Sequence, residues 1–289
     1  MKLATYEFAG RTGVGVVVNE SIVDVTQAFP DMVRLIEAGP SGLIEIRALI
    51  ASPTSSIPLD QVRLRAPIPP PRRNVMCLGK NYAEHARESY EARGEKVEIP
   101  DFPVIFTKAT TSVNGPYDDV LLDTAVSAQM DYESELAFVM GRMVKNATRD
   151  TAMAAVFGYT VLNDITARDL QTQHKQFFKG KSLDGCCPIG PWIVTADEIP
   201  DPHSLGISCR VGGELRQVSN TGEMLFDIPA IIVHLSRGMT LLPGDIIATG
   251  TPSGVGFARK PPVYLQPGDV VECEVAGIGT IRNRMVAVG

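Results

Sequence analysis

The chain breaks into short stretches. Runs rich in apolar and β-branched residues at 75–78, 103–106, 134–139, 160–162, 191–194, 246–248 and 270–275 alternate with turn sequences such as Val211-Gly212-Gly213-Glu214, Pro243-Gly244-Asp245 and Pro267-Gly268-Asp269. Proline pre-sets one turn dihedral and glycine accepts positive φ, so these triplets reverse the chain tightly. Runs this short bury apolar surface by pairing into sheets. Helical spacing is confined to residues near 31–51, 81–90, 164–174 and 227–238. The fold class that follows is α+β, mostly β.

Residues 1–70 read as a small N-terminal α/β domain. It has short strands at 13–18 and 22–25 and one or two helices over 31–51, where Met32, Leu35 and Ile36 fall at helical spacing. The proline-rich PIPPP segment at 67–71 disfavours helix and serves as the linker. Residues 71–289 then form one long catalytic unit.

The formal net charge of −6 excludes a general nucleic-acid or membrane-surface role. No apolar segment approaches the roughly 20 residues a spanning helix needs, and the N-terminus does not read as a signal peptide. Five cysteines without a C-x-x-C pair argue against a disulfide framework or zinc site. A cytoplasmic protein with buried free thiols is expected.

Several segments carry candidate chemistry. In Asp131-Tyr132-Glu133-Ser134-Glu135-Leu136, strand alternation puts Glu133 and Glu135 on one face, next to an apolar run. Two carboxylates at a core repel and resist desolvation, which a cation relieves; a solvated edge face is an equal alternative. Asp164 stands where a strand-like run gives way to a helix, able to cap that helix or to reach a ligand, with Arg168 one turn on. Together Glu133, Glu135 and Asp164 supply three hard oxygens, a set for Mg²⁺ or Mn²⁺ and not for zinc.

His85 and Glu88 share a helical face, as a carboxylate-oriented general base requires and as any i,i+3 surface pair also would. Asn81 and Glu84 have capping-box spacing ahead of them. Lys181, in Phe178-Lys179-Gly180-Lys181-Ser182, reads either as an oxyanion-compensating lysine or as part of a solvated basic loop, since the P-loop glycine is missing. The glycine-rich stretch 249–256 lets backbone N–H groups approach a ligand closely but lacks the helix of a dinucleotide fingerprint. His174, His203 and His234 have no ligand-like spacing, and no G-x-S-x-G elbow occurs.

Read together, these segments resemble the fumarylacetoacetate hydrolase (FAH) family. The signatures are N-Y-x-x-H-x-x-E at 81–88, D-Y-E-x-E-L at 131–136, N-D-I-T-A-R-D at 163–169, G-K-S at 180–182 and M-T-L-x-P-G-D-I-I-A-T-G-T-P-x-G-V-G at 239–256. The resemblance covers about residues 72–286. It implies a mixed β-sandwich roll, a homodimer and a divalent metal, Mg²⁺ or Mn²⁺, on Glu133, Glu135 and Asp164. His85, Glu88 and Lys181 match the family's catalytic positions; Arg168, Gln171 and Thr251 match positions near substrate or metal. The polar stretch between Ser89 and Asp101 matches a region that orders over ligand in relatives.

The implied activity is metal-dependent hydrolysis of a C–C bond in a small 2,4-dioxo acid of the acylpyruvate type, through a metal-stabilised enolate. Within the family, oxaloacetate decarboxylation and hydrolysis or lysis of a 3-deoxy sugar acid are the alternatives. A non-catalytic metal-binding scaffold is a further reading, against which His85, Glu88 and Lys181 speak. No intact phosphate motif supports NAD or ATP use.

Overall fold

The computed structural model describes residues 1–53 and 55–288. Its backbone is a 12-stranded, mostly antiparallel sheet. From one edge the order is Ser56–Pro58, Ser21–Asp24, Arg11–Val18, Lys2–Phe8, Cys187–Thr195, Val156–Asn163, Ser134–Met140, Ile246–Ala248, Val75–Gly79 and Val104–Lys108. The short strands Arg63–Leu64 and Val113–Asn114 pair onto it alongside Lys2–Phe8 and Cys187–Thr195. A second, five-stranded sheet runs Glu214–Asn220, Gly206–Val211, Val270–Val275, Gly279–Ala287, Val120–Leu122. The strand order skips back and forth along the sequence, so most pairings join distant segments.

The sheet is continuous from the strands before residue 70 to those after it. Lys2 pairs with Val194 and Leu3 with Ile193. The Met32–Glu37 and Gly39–Ala51 helices cover one face of this sheet through Met32, Leu35, Ile36 and Ile46. Asp31 caps the first of them by accepting from the Arg34 N–H at 2.8 Å.

Ser134–Met140 lies at the centre and is buried along its whole length. Leu136, Phe138 and Met140 pack towards the core shared with Ile207, Cys209, Val271, Cys273 and Ile281 of the smaller sheet. Ala137 and Val139 face the opposite layer with the two N-terminal helices. Burial on both faces explains why this strand reads as a continuous apolar run. It also means that any polar side chain at its start enters a water-poor region.

The turn triplets behave as their residues dictate. Gly244 and Gly268 take φ of 85° and 100°, a region that other L-residues rarely adopt. The helices expected near 81–90 and 227–238 are Ala83–Ala92 and Ile228–Ser236. The one expected over 164–174 is shorter, Arg168–Gln173. Among the described residues, no helix is long and apolar enough to cross a membrane.

Candidate active site

Strand register assembles the acidic cluster. Ser134 pairs with Asn163, and just past that pair the Asp164 N–H donates to the Glu133 carbonyl at 2.8 Å. Glu133 and Asp164 therefore lie side by side at one end of the central strands, and Glu135 sits one residue inside. One carboxylate oxygen from each of Glu133, Glu135 and Asp164 lies within 4.8 Å of the others, and all three side chains are buried. Asp164 does not cap the following helix. Its Oδ1 accepts from Lys108 Nζ and its Oδ2 from Lys181 Nζ, both at 2.7 Å, and the helix starts at Arg168 with Ala167 as its N-cap.

Buried carboxylates need compensation, because burial costs several kcal/mol per ion. Glu133 has it: Arg168 Nη2 and Lys181 Nζ each reach it at 2.6 Å. Burial alone would raise its pKa, but Lys181 and Arg168 hold it down at about 2. Glu135 does not. Among the described residues its Oε2 accepts only the Gly250 N–H, at 2.8 Å. Burial, then the charges of Asp164 and Glu133, push the Glu135 carboxyl well above the usual carboxylate range. Lys181 is buried, yet Asp164 and Glu133 raise its pKa, so it stays an ammonium. An all-oxygen donor set with one uncompensated carboxylate fits a divalent cation. The neighbouring Cys77 and Cys187 remain thiols, since burial raises both.

The glycine-rich stretch leaves the sheet beside Glu135, because Ala248 pairs with Ala137. Its backbone N–H groups do approach closely, but the groups they meet are the chain's own carboxylates. Gly250 serves Glu135, Gly254 donates to both oxygens of Glu88 at 3.1 and 2.9 Å, and Gly256 and Phe257 hold Asp131 at 2.7 and 3.0 Å. Thr251 Oγ1 donates to the Ser134 carbonyl and accepts from Gln217.

Glu88 in turn accepts from His85 Nδ1 at 2.9 Å. Among the described residues Nε2 of His85 makes no hydrogen bond, and the ring lines the same cleft as Glu133, Arg168, Gln171, Lys181 and Thr251. Gly254 is the hinge of this support. At φ of 105° an added Cβ would sit 2.2 Å from the Arg216 carbonyl oxygen. Gly254→Ala is expected to cost about 1–3 kcal/mol of stability through that strained backbone. It should also slow turnover by loosening Glu88, which thermal unfolding and initial rates would check.

The structure thus gathers His85, Glu88, Glu133, Glu135, Asp164, Arg168, Gln171, Lys181 and Thr251 around one cleft. Lys181 stands in a short helix, Phe178–Lys181, and not in a solvated loop. Asn81 and Glu84 form no capping box: Asn81 bridges the Phe226 and Thr249 carbonyls, and the helix begins after Tyr82. Four further residues escaped sequence reasoning. Lys108 is wholly buried under Asp164. Asp131 accepts from Arg168 Nε at 2.9 Å and orients that guanidinium. Lys80 and Arg93 line the mouth of the cleft, and neither has a carboxylate within 4 Å among the described residues. Lys80 rests over the Tyr90 ring, and Arg93 over Phe257, the ring that Arg168 also contacts.

Known proteins share this arrangement of chain and fold. The oxaloacetate tautomerase YisK of Bacillus subtilis (strain 168) is 43% identical over 305 aligned residues, covering 99% of this chain and all of that one. A fumarylacetoacetate hydrolase from the psychrophile Exiguobacterium antarcticum superposes with a TM-score of 0.87 at 44% identity, over the full length of both chains. Maleylpyruvate hydrolase from Sphingobium sp. SYK-6, solved with manganese(II) and pyruvate, does so with a TM-score of 0.82 at 32% identity, again over both chains entirely. The model of the fumarylacetoacetate hydrolase C-terminal region matches residues 74–286. With that match spanning most of its length, the chain belongs to the fumarylacetoacetate hydrolase family, whose members are enzymes acting on small keto acids.

Proposed function

We propose that this protein moves a proton at the carbon next to the 2-oxo group of a small dicarboxylic 2-oxo acid, with keto–enol tautomerisation of oxaloacetate as the reaction. The observation that carries this is the His85–Glu88 pair: Nδ1 is held at 2.9 Å, and Nε2 makes no hydrogen bond in a cleft walled by Glu133 and Lys181. The relative YisK is named an oxaloacetate tautomerase and aligns along nearly the whole chain.

Glu133, Glu135 and Asp164 would hold the cation, Mg²⁺ or Mn²⁺. When bound, it supplies Lewis-acid polarisation of the 2-oxo group, which acidifies the adjacent C–H. His85 takes the C3 proton through Nε2, while Glu88 supports the charge the ring gains. The electron pair of the broken C–H bond forms the C2–C3 double bond, and the C=O π pair moves onto oxygen. That oxygen takes a proton from water while the imidazolium returns its own to solvent. Lys181 stabilises charge on that oxygen. Gln171 Oε1 accepts from Arg168 at 3.2 Å, which leaves its amide N–H₂ for the substrate carboxylate. Thr251 shapes the wall.

Lys80 and Arg93 then meet the distal carboxylate. Arg93→Met is expected to raise KM for oxaloacetate about 10- to 100-fold, the worth of a charge-assisted hydrogen bond. Binding of the monoacid pyruvate should hardly change. Equal losses for both acids would remove Arg93 from this role.

A second reading is hydrolysis of a 2,4-dioxo acid, which the same free Nε2 favours if it takes its proton from water. Enol decay of oxaloacetate, CO₂ release from it, and acetate release from acetylpyruvate separate the reactions with Mg²⁺ or Mn²⁺ present. Faster enol–keto exchange with neither CO₂ nor acetate supports tautomerisation. Acetate release without faster exchange replaces it with hydrolysis, and CO₂ release replaces it with decarboxylation.

A further inference from the structure

Each carboxylate of the triad has one oxygen already committed to a donor of the protein. Glu133 Oε1 accepts from Arg168 Nη2 at 2.6 Å, Glu135 Oε2 from the Gly250 N–H at 2.8 Å, and Asp164 Oδ1 from Lys108 Nζ at 2.7 Å. One oxygen of each acid lies within 4.8 Å of one from each of the others. Glu133 Oε2 and Asp164 Oδ2 meet only Lys181 Nζ, and Glu135 Oε1 accepts no hydrogen bond among the described residues.

Lys108 stands apart from the other two donors. Arg168 also serves Asp131, and Gly250 acts through its backbone. Lys108 ends the Val104–Lys108 strand with its side chain at 0% exposure, where among the described residues its ammonium bonds only Asp164 Oδ1 and the Ile165 carbonyl, the latter at 3.0 Å. A lysine is almost never fully buried unless paired. Here the pairing occupies one oxygen of one ligand and touches nothing in the cleft.

We propose that Lys108 is a positioning residue that sets which cation the site accepts: by holding Asp164 Oδ1 it makes Asp164 a one-oxygen ligand, so that the triad selects Mg²⁺ or Mn²⁺ over Ca²⁺. This rests on the metal site proposed above. Ca²⁺ takes six to eight oxygens and readily uses carboxylates through both atoms, whereas Mg²⁺ demands compact octahedral coordination through single oxygens. Once Lys181 Nζ yields Glu133 Oε2 and Asp164 Oδ2 to the ion, three pinned carboxylates offer it three oxygens, too few for Ca²⁺ to fill its shell from the protein. Freeing Asp164 Oδ1 offers a fourth.

The test is calorimetric titration of the intact wild-type protein and Lys108→Met with Mn²⁺ and with Ca²⁺. Loss of a nearby positive charge raises affinity for both ions alike, so the ratio of affinities is the readout. The wild type is expected to favour Mn²⁺, and in Lys108→Met the preference should fall by about tenfold or more as bidentate ligation becomes open to Ca²⁺. A ratio unchanged from wild type overturns the role of Lys108 and leaves the metal site standing. Absence of binding of either ion to wild-type protein overturns both. Should Lys108→Met fail to fold, crystals of wild-type protein with Mn²⁺ decide the matter. Lys108 still on Asp164 Oδ1, with only Oδ2 on the ion, supports the proposal; Asp164 bound through both oxygens overturns it.

Discussion

Glu135→Gln should give a folded protein that no longer retains a divalent cation and no longer turns over a 2-oxo acid. The substitution keeps the volume and an oxygen able to accept the Gly250 N–H, which Glu135 Oε2 accepts at 2.8 Å. What it removes is the one ionisable carboxyl of the cluster that, among the described residues, no side-chain cation bonds. Burial, with Asp164 and Glu133 nearby, holds the Glu135 carboxyl well above its ordinary range. A folded pKa raised in this way means that the metal-free protein favours the neutral form. Glutamine mimics that form, so below the unfolded carboxyl pKa the two proteins should be equally stable. As pH rises from there towards the raised folded pKa, the metal-free variant should become the more stable. Metal binding runs the other way. Loss of a partner that only orients a ligand costs about 10- to 100-fold in metal affinity, and loss of a ligand charge exceeds that. Titration followed by the electron paramagnetic resonance of free Mn²⁺ should show affinity down by more than about 100-fold, with turnover below about 1%. Calorimetric melting should show Tm of the metal-free variant at neutral pH no lower than that of the wild type. A Glu135→Gln protein that binds Mn²⁺ as the wild type does would remove Glu135 from the ligand set.

The acids of this site were legible because each stands in a compact motif: Glu133 and Glu135 two apart before an apolar run, Asp164 at the end of another. Their convergence was not. It depends on the register that sets Ser134 against Asn163, and register is a property of two strands that neither shows alone. The helix–cap alternative for Asp164 failed for the same reason, since its competing partners, Lys108 and Lys181, lie 56 and 17 residues away in sequence. Lys108 was invisible. A lysine closing a short strand reads as a solvated end, and only the tertiary fold reveals the aspartate above it. Asp131 looked like one more acid in an acidic motif. The structure separates it from its neighbours by four donors, the Tyr132, Gly256 and Phe257 N–H groups and Arg168, that satisfy both oxygens. The mostly β class followed from turn chemistry, which is local, and so survived. The capping box at Asn81 did not, because a buried asparagine amide satisfies more of its hydrogen-bonding groups by bridging two distant carbonyls and accepting the Phe226 N–H than by capping a helix.

Substituting His85 cuts the proposed chemistry without touching the acids. Among the described residues the ring bonds to Glu88 alone, and Glu88 is anchored to the Gly254 N–H and to no member of the triad. His85→Gln should therefore leave Mn²⁺ affinity within about threefold of wild type, while kcat falls by about 10² to 10⁴, the usual contribution of a positioned general base. Glu88→Gln should fall between. Its amide oxygen still accepts from Gly254 and from Nδ1, so the ring stays in place, but the charge that stabilises a protonated imidazole is gone. A turnover loss alone would not separate a base from a residue that merely shapes the wall. Exchange at C3 does. In D₂O the wild-type enzyme should wash deuterium into the carbon next to the 2-oxo group, visible by NMR as loss of the C3 proton signal. His85→Gln should lose this exchange in the same proportion as it loses kcat. If exchange continues at the wild-type rate while turnover drops, the proton is taken by another group, and the His85–Glu88 contact is a tether between the Ala83–Ala92 helix and the glycine-rich stretch.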